Sequence, residues 1–132
     1  MILKGYGDHH WSTTTLKTVA LAVKNAILAS EKTANRYLFV ESFNVSQKRI
    51  LSTLETLTKT QWNVSYHDAE EEKRLALEKL SQGNYSALPT LMWYVTCVEG
   101  YGGDYMKHEE SANSLLSLPE EILDDALRDM VV

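Results

Sequence analysis

The chain of 132 residues carries one cysteine, two prolines and two phenylalanines, and its positive charge is thin. Each scarcity excludes something. Cys97 has no partner for an internal disulfide, and it sits in an apolar run, residues 91–98, that lacks the positive neighbourhood of a nucleophilic thiol. Thirteen Lys and Arg face 18 Asp and Glu, giving a formal net charge of −5 and a pI near 5.3. The basic residues are scattered. A sequence-independent nucleic-acid binder needs a basic stripe to neutralise phosphates, so that class is excluded. No apolar run approaches the ~20 residues that cross a bilayer, and Met1-Ile2-Leu3-Lys4-Gly5 is too short for a signal sequence. A soluble, cytoplasmic protein is expected. The histidines, His9, His10, His67 and His108, show no His-x-x-x-His or Glu-x-x-His spacing, so no metal site is expected.

Hydrophobic residues make up 44% of the chain, enough for one core and one domain over residues 1–132, and no Pro- or Ser-rich linker divides it. The clearest architecture is in residues 36–59. Tyr37, Phe39, Val40, Phe43 and Val45 favour a strand. Ser46 then caps a helix on which Ile50, Leu51, Leu54 and Leu57 share a face.

Elsewhere Ile2 and Leu3 suggest a short edge strand ending in the turn-like Gly5-Tyr6-Gly7-Asp8. A helix with Ser12, Thr13 or Thr14 as N-cap then carries Leu16, Val19, Ala20, Val23 and Ile27 at spacings of three and four. Trp62, Val64 and Tyr66 alternate with polar residues, as one face of a strand does. Asp68 with Glu71 opens a charged helix that stops near Gly83. Residues 88–98 read as a buried apolar helix with Pro89 in its first turn, and residues 119–130 as a final helix with Pro119 first and Ile122, Ala126, Leu127 and Met130 inside. The acidic groups at 70–72 and 120–129 read as solvated helix faces. The expected class is α+β, a small mixed sheet of about three short strands packed with about five helices.

The order of these pieces resembles a known family. Gly7-Asp8-x-x-Trp11-Ser12-Thr13-Thr14-Thr15-Leu16, then Asn35-Arg36-Tyr37 with Ser42-Phe43-Asn44-Val45-Ser46-Gln47, then Gly100-Tyr101-Gly102-Gly103-Asp104 and Leu118-Pro119-Glu120-Glu121, are similar to the carboxyl-terminal part of NmrA-like, isoflavone-reductase-like proteins. These are atypical short-chain dehydrogenases. The resemblance implies a substrate-binding part that in the family is joined to an amino-terminal Rossmann half reducing small molecules with NADPH. Here the fingerprint of that half is missing. Gly5-Tyr6-Gly7 meets His10 where a third glycine belongs, and residues 100–103 lack both the spacing and a surrounding βαβ unit. No cofactor is therefore expected, and no lysine inherits the family's catalytic role. The opening Met1 favours a complete short protein over a fragment of an NADPH-dependent reductase.

Two stretches carry residues able to do chemistry. In an extended backbone His9 and His10 point to opposite sides, which places His10 beside Asp8, and such a pair suits proton transfer near neutral pH. The alternative is a polar turn with solvated imidazoles. The apolar segment and its Gly-rich loop supply Trp93, Tyr94, Glu99, Tyr101 and Asp104, which line the cavity if the family's cavity persists. A carboxylate beside aromatic rings has a raised pKa and acts as an acid or base. The alternative is core packing and an ordinary turn.

The expectation is a cofactor-independent enzyme of secondary metabolism, derived from a truncated reductase: a cyclase, isomerase or dehydratase. Asp8, His10 and Asp104 would be its acid/base groups. Trp11, Trp93, Tyr94, Glu99 and Tyr101 would hold an aromatic or polyketide-like molecule. A non-catalytic ligand- or protein-binding regulatory module is the alternative. Without a Rossmann half, Leu88, Met92 and Trp93 would be exposed, which predicts a two-fold homodimer through those surfaces and through residues 36–59.

Overall fold

The computed structural model describes residues 2–4 and 7–131, with side chains from residue 7 onward. Gly5 and Tyr6 of the expected first turn lie outside the described residues. The class is α+β: among the described residues there are six α-helices and four short strands, the strands in two separate pairs rather than one sheet. The contacts divide the chain into two compact units, residues 1–11 with 45–103, and residues 12–44 with 104–132. Among the described residues no helix is long and apolar enough to cross a membrane.

In the first unit β1 (Ile2–Lys4) runs parallel to β4 (Ser65–His67), with Leu3 opposite Tyr66. Helix α3 (Gln47–Thr58) starts as the sequence predicts, with the Ser46 hydroxyl accepting from the Arg49 N–H at 3.3 Å. Its most buried side chains are polar, Gln47 and Thr53. The apolar face of Ile50, Leu51, Leu54 and Leu57 is only half-buried. Asp68 caps α4 (Ala69–Ser81) through the Glu71 N–H at 2.8 Å, while the Glu71 carboxylate turns to Arg74 instead of closing a capping box. A 3-10 turn, Tyr85–Ala87, leads into α5 (Leu88–Cys97), with Pro89 in the first turn. Helices α4 and α5 pack together over small residues, Ala76 and Ala87, with Tyr94 and Cys97 buried.

The second unit is built on α1 (Leu16–Leu28), the single turn α2 (Ser30–Thr33) and α6 (Leu123–Val131). Its core is Ala22, Ala112 and Leu116, flanked by Ala26, Leu38, Val40 and Leu118. Phe39 bridges Ser111, and the Asn113 side chain holds both backbone groups of Glu41. Strands β2 (His10–Thr13) and β3 (Phe43–Ser46) pair, and each contains a point where the chain passes from one unit to the other.

Three expectations are corrected. Residues 10–13 form a strand, so the N-cap of α1 is Thr15, which accepts from the Thr18 N–H. The face of α1 read as internal is outward: Leu16 is 87% exposed and Ile27 69%. The helix instead turns Thr18, Ala22 and Asn25 inward, because Thr18 and Asn25 find hydrogen-bond partners there and Ala22 lets Leu116 approach. The last helix begins at Leu123, not Pro119, and buries none of its residues fully; Ile122 and Met130 are exposed.

Glu121 accounts for the late start of α6. Its carboxylate accepts the hydroxyls of Thr18 at 2.7 Å, Thr15 at 2.9 Å and Ser42. Burial alone would raise its pKa, yet the three hydroxyl donors and nearby Lys17 outweigh that and hold it below the usual value.

Candidate functional site

The chemistry-bearing side chains of the first unit gather around α5. Pro89, Met92, Trp93 and Thr96 fall at positions i, i+3, i+4 and i+7, which puts them on one face. With Trp11 they line an open groove of about 250 Å³. Trp11 is buried, and its ring meets Trp93 edge-on, the centroids 6.2 Å apart at 83°. That arrangement favours the ring quadrupoles and leaves Trp93 half exposed toward the groove. The site can hold a flat apolar molecule.

Tyr94 is the next residue and is turned by about 100° around the helix. It is buried, its hydroxyl contacting Glu70 of α4. Lys73, one turn on from Glu70, approaches Tyr94 Oη at 3.2 Å, Tyr101 Oη at 3.3 Å and Glu70 Oε2 at 3.5 Å. Its ammonium also lies 4.5 Å from the Tyr94 ring centroid. The two tyrosine rings meet edge-on at 5.0 Å, and their oxygens are 3.4 Å apart. The hydrogen bond to Glu70, then that to Tyr101 and burial, push Tyr94 up to about 12. Tyr101 moves the other way: the Tyr94 hydroxyl and then the Lys73 ammonium favour its phenolate and lower its pKa. Those same phenol oxygens raise Lys73 above the ordinary lysine value.

The structure separates the other expected site residues. Asp8 pairs with Lys48 at 2.7 Å on the surface. His10 is exposed at the start of β2, and its neighbour His9 lies 3.9 Å from Glu99, itself largely exposed. Asp104 belongs to the second unit, where it accepts from Asn44 Nδ2 at 2.6 Å and pairs with Lys107 at 3.2 Å. Trp11 and Trp93 meet in the groove, whereas Tyr94 and Tyr101 meet in the lysine cluster. Lys73 and Glu70 were missed, because in the sequence they read as part of a charged helix face. Their i, i+3 spacing next to a buried tyrosine was the available signal, and it required knowing which helix α4 packs against. His67 also gains a partner, Glu72 at 2.5 Å, that its surface position did not suggest.

A nicotinamide cofactor, implied by the family resemblance, finds no fit among the described residues. A pyrophosphate needs an open glycine turn between a strand and a helix N-terminus. Gly7, at φ +71°, is followed by β2. Gly100 and Gly102, at φ +89° and +83°, follow the C-terminus of α5. At Gly103 a Cβ would stand 2.2 Å from the Thr96 carbonyl oxygen, so that backbone is packed onto α5 and not free for phosphate. No cluster of three metal-ligating side chains occurs among the described residues either.

No family model matches the chain, and no solved structure does. It is similar to a protein of Aspergillus flavus named Oxidoreductase aprR, 52% identical over 121 residues. The match takes in 92% of this chain and 41% of that protein, so the chain spans about two-fifths of the length of the oxidoreductase it resembles.

Proposed function

We propose that this chain is the ligand-binding portion of an oxidoreductase-type protein and that it holds an aromatic small molecule on the Trp11/Trp93 groove. One observation carries the reading. The chain is 52% identical to part of a protein named an oxidoreductase, over 41% of that protein's length. The groove supports it chemically, being apolar, aromatic and open. The lack of a fitting glycine turn among the described residues supports assigning the redox step elsewhere. On this reading the chain is related to NmrA-like reductases and transfers no hydride alone.

Calorimetric titration with 2-naphthol tests the groove. Saturable binding that Trp93→Ala weakens at least about tenfold is expected, since an aromatic anchor in a pocket carries much of the energy. Equal affinity of the two proteins would remove the groove from the proposal.

A second reading, a cofactor-independent isomerase, cyclase or dehydratase, is favoured by Lys73 with Tyr101, a cation holding an exposed phenol. Asp8 and Asp104 give it less support, since each carboxylate already faces a lysine.

A further inference from the structure

We propose that Tyr101 is a proton-transfer group, a general base toward an enolisable aryl ketone that lies against its exposed ring, with Lys73 and Tyr94 as positioning residues. The geometry requires only side chains of the first unit and does not depend on that unit being part of an oxidoreductase.

Of the four groups in the cluster, one is free to lose and regain a proton. Glu70 accepts from the Tyr94 hydroxyl, and Lys73 directs hydrogen bonds at Tyr94, Tyr101 and Glu70. Tyr94 is 4% exposed and Tyr101 50%. Tyr101 thus accepts from a fixed cation while half of the residue stays exposed to solvent. Tyr94 and Lys73 hold their protons more tightly than usual, while Tyr101 holds its own less tightly. The charged and titratable groups facing the Tyr101 oxygen are therefore Lys73 and Glu70 from α4 and Tyr94 from α5, and the nearest of them favour its phenolate.

The step balances within these groups and the ligand. The Tyr101 phenolate takes a proton from the carbon beside the ligand carbonyl, forming the phenol O–H as the C–H bond breaks. The electron pair moves to the carbonyl oxygen as an enolate, whose charge develops near the Lys73 ammonium. Return of the proton to the same carbon exchanges it; delivery to the enolate oxygen gives the enol. No oxidant or reductant enters. An aryl ketone is the class that fits, because the half-exposed Tyr101 ring, braced edge-on by the buried Tyr94, is itself an aromatic surface for the ligand's ring.

The test follows deuterium uptake at the methyl carbon beside the carbonyl of acetophenone in heavy water, by proton NMR, with the full chain. The wild type should exchange at least about tenfold faster than buffer and than Tyr101→Phe, a conservative change at a half-exposed ring. Its rate should rise with pH through an ionisation below that of an ordinary tyrosine. Lys73→Met should move this rise to higher pH, which a merely structural lysine would not do, and Lys73→Arg should restore part of it. Tyr37→Phe, at a residue 94% exposed in the other unit, should change nothing. Tyr101→Phe exchanging as fast as the wild type would overturn the proposal. So would a Lys73→Met profile at unchanged pH, or a wild type no faster than buffer. A failure of naphthol binding to the groove leaves this result standing, so the two readings fail separately.

Discussion

Thr18 donates its hydroxyl to Glu121 at 2.7 Å, joining residues 103 apart in the chain. Thr18 is almost wholly buried, and Glu121 takes the hydroxyls of Thr15 and Ser42 as well, so one carboxylate gathers the start of α1, the stretch before β3 and the approach to α6. Hydrogen bonds to a charged acceptor contribute more than neutral ones, and losing the acceptor strands buried hydroxyls.

Glu121→Ala should therefore destabilise the protein by about 2 kcal/mol in denaturant melts, and Glu121→Gln by less, since the amide oxygen still accepts. The pH dependence has a definite sign. The folded pKa lies below the ordinary 4.5, so the carboxylate's contribution is complete above that value. It is lost as pH falls through the depressed value. The Glu121→Gln variant should lose less stability than the wild type over that acid range.

The orientation of α1 separates two substitutions of the same chemical kind. Leu116→Ala, in a site 2% exposed against Ala22 and Ala112, should cost about 2–5 kcal/mol. Leu16→Ala, at 87% exposure, should stay within about 0.5 kcal/mol. Comparable losses in thermal melts would mean that α1 is rotated from the position described.

Gly103→Ala should displace the loop at residues 98–103, because the new methyl would overlap the Thr96 carbonyl, a backbone group that cannot swing away. The expected readout is a Tyr101 whose NMR titration returns toward that of an ordinary tyrosine as the loop leaves Lys73. An unchanged titration would show that the loop tolerates the methyl.

Leu88, Met92 and Trp93 are 45%, 67% and 50% exposed, an apolar stretch of the kind that usually finds a cover. Sedimentation at micromolar concentration without ligand should give about twice the mass of the 15.0 kDa chain, and either Met92→Asp or saturating 2-naphthol, which takes the same Met92/Trp93 face, should return it to one chain. A single-chain mass for the wild type would count against the dimer.

What the sequence revealed depended on how local the cause was. Ser46 and Asp68 cap their helices as read, because a cap needs only a hydroxyl or carboxylate and an N–H three residues on. Pro89 marked the first turn of α5 for an equally local reason. The inner face of α1 was misread because apolar periodicity pointed one way while buried hydrogen bonds from Thr18 and Asn25 pointed the other, and those partners lie near the far end of the chain. The site divides in the same way. The spacing of Trp93 within an apolar segment was visible, but Lys73 and Glu70 gained meaning only from the packing of α4 on α5, which no local pattern encodes.

On the proposed reading this stretch is a ligand-binding portion without a nucleotide site of its own. Calorimetric titration of the purified chain with NADPH decides the matter. No saturable heat is expected at concentrations where 2-naphthol saturates the groove. Saturable, stoichiometric NADPH binding would contradict that reading.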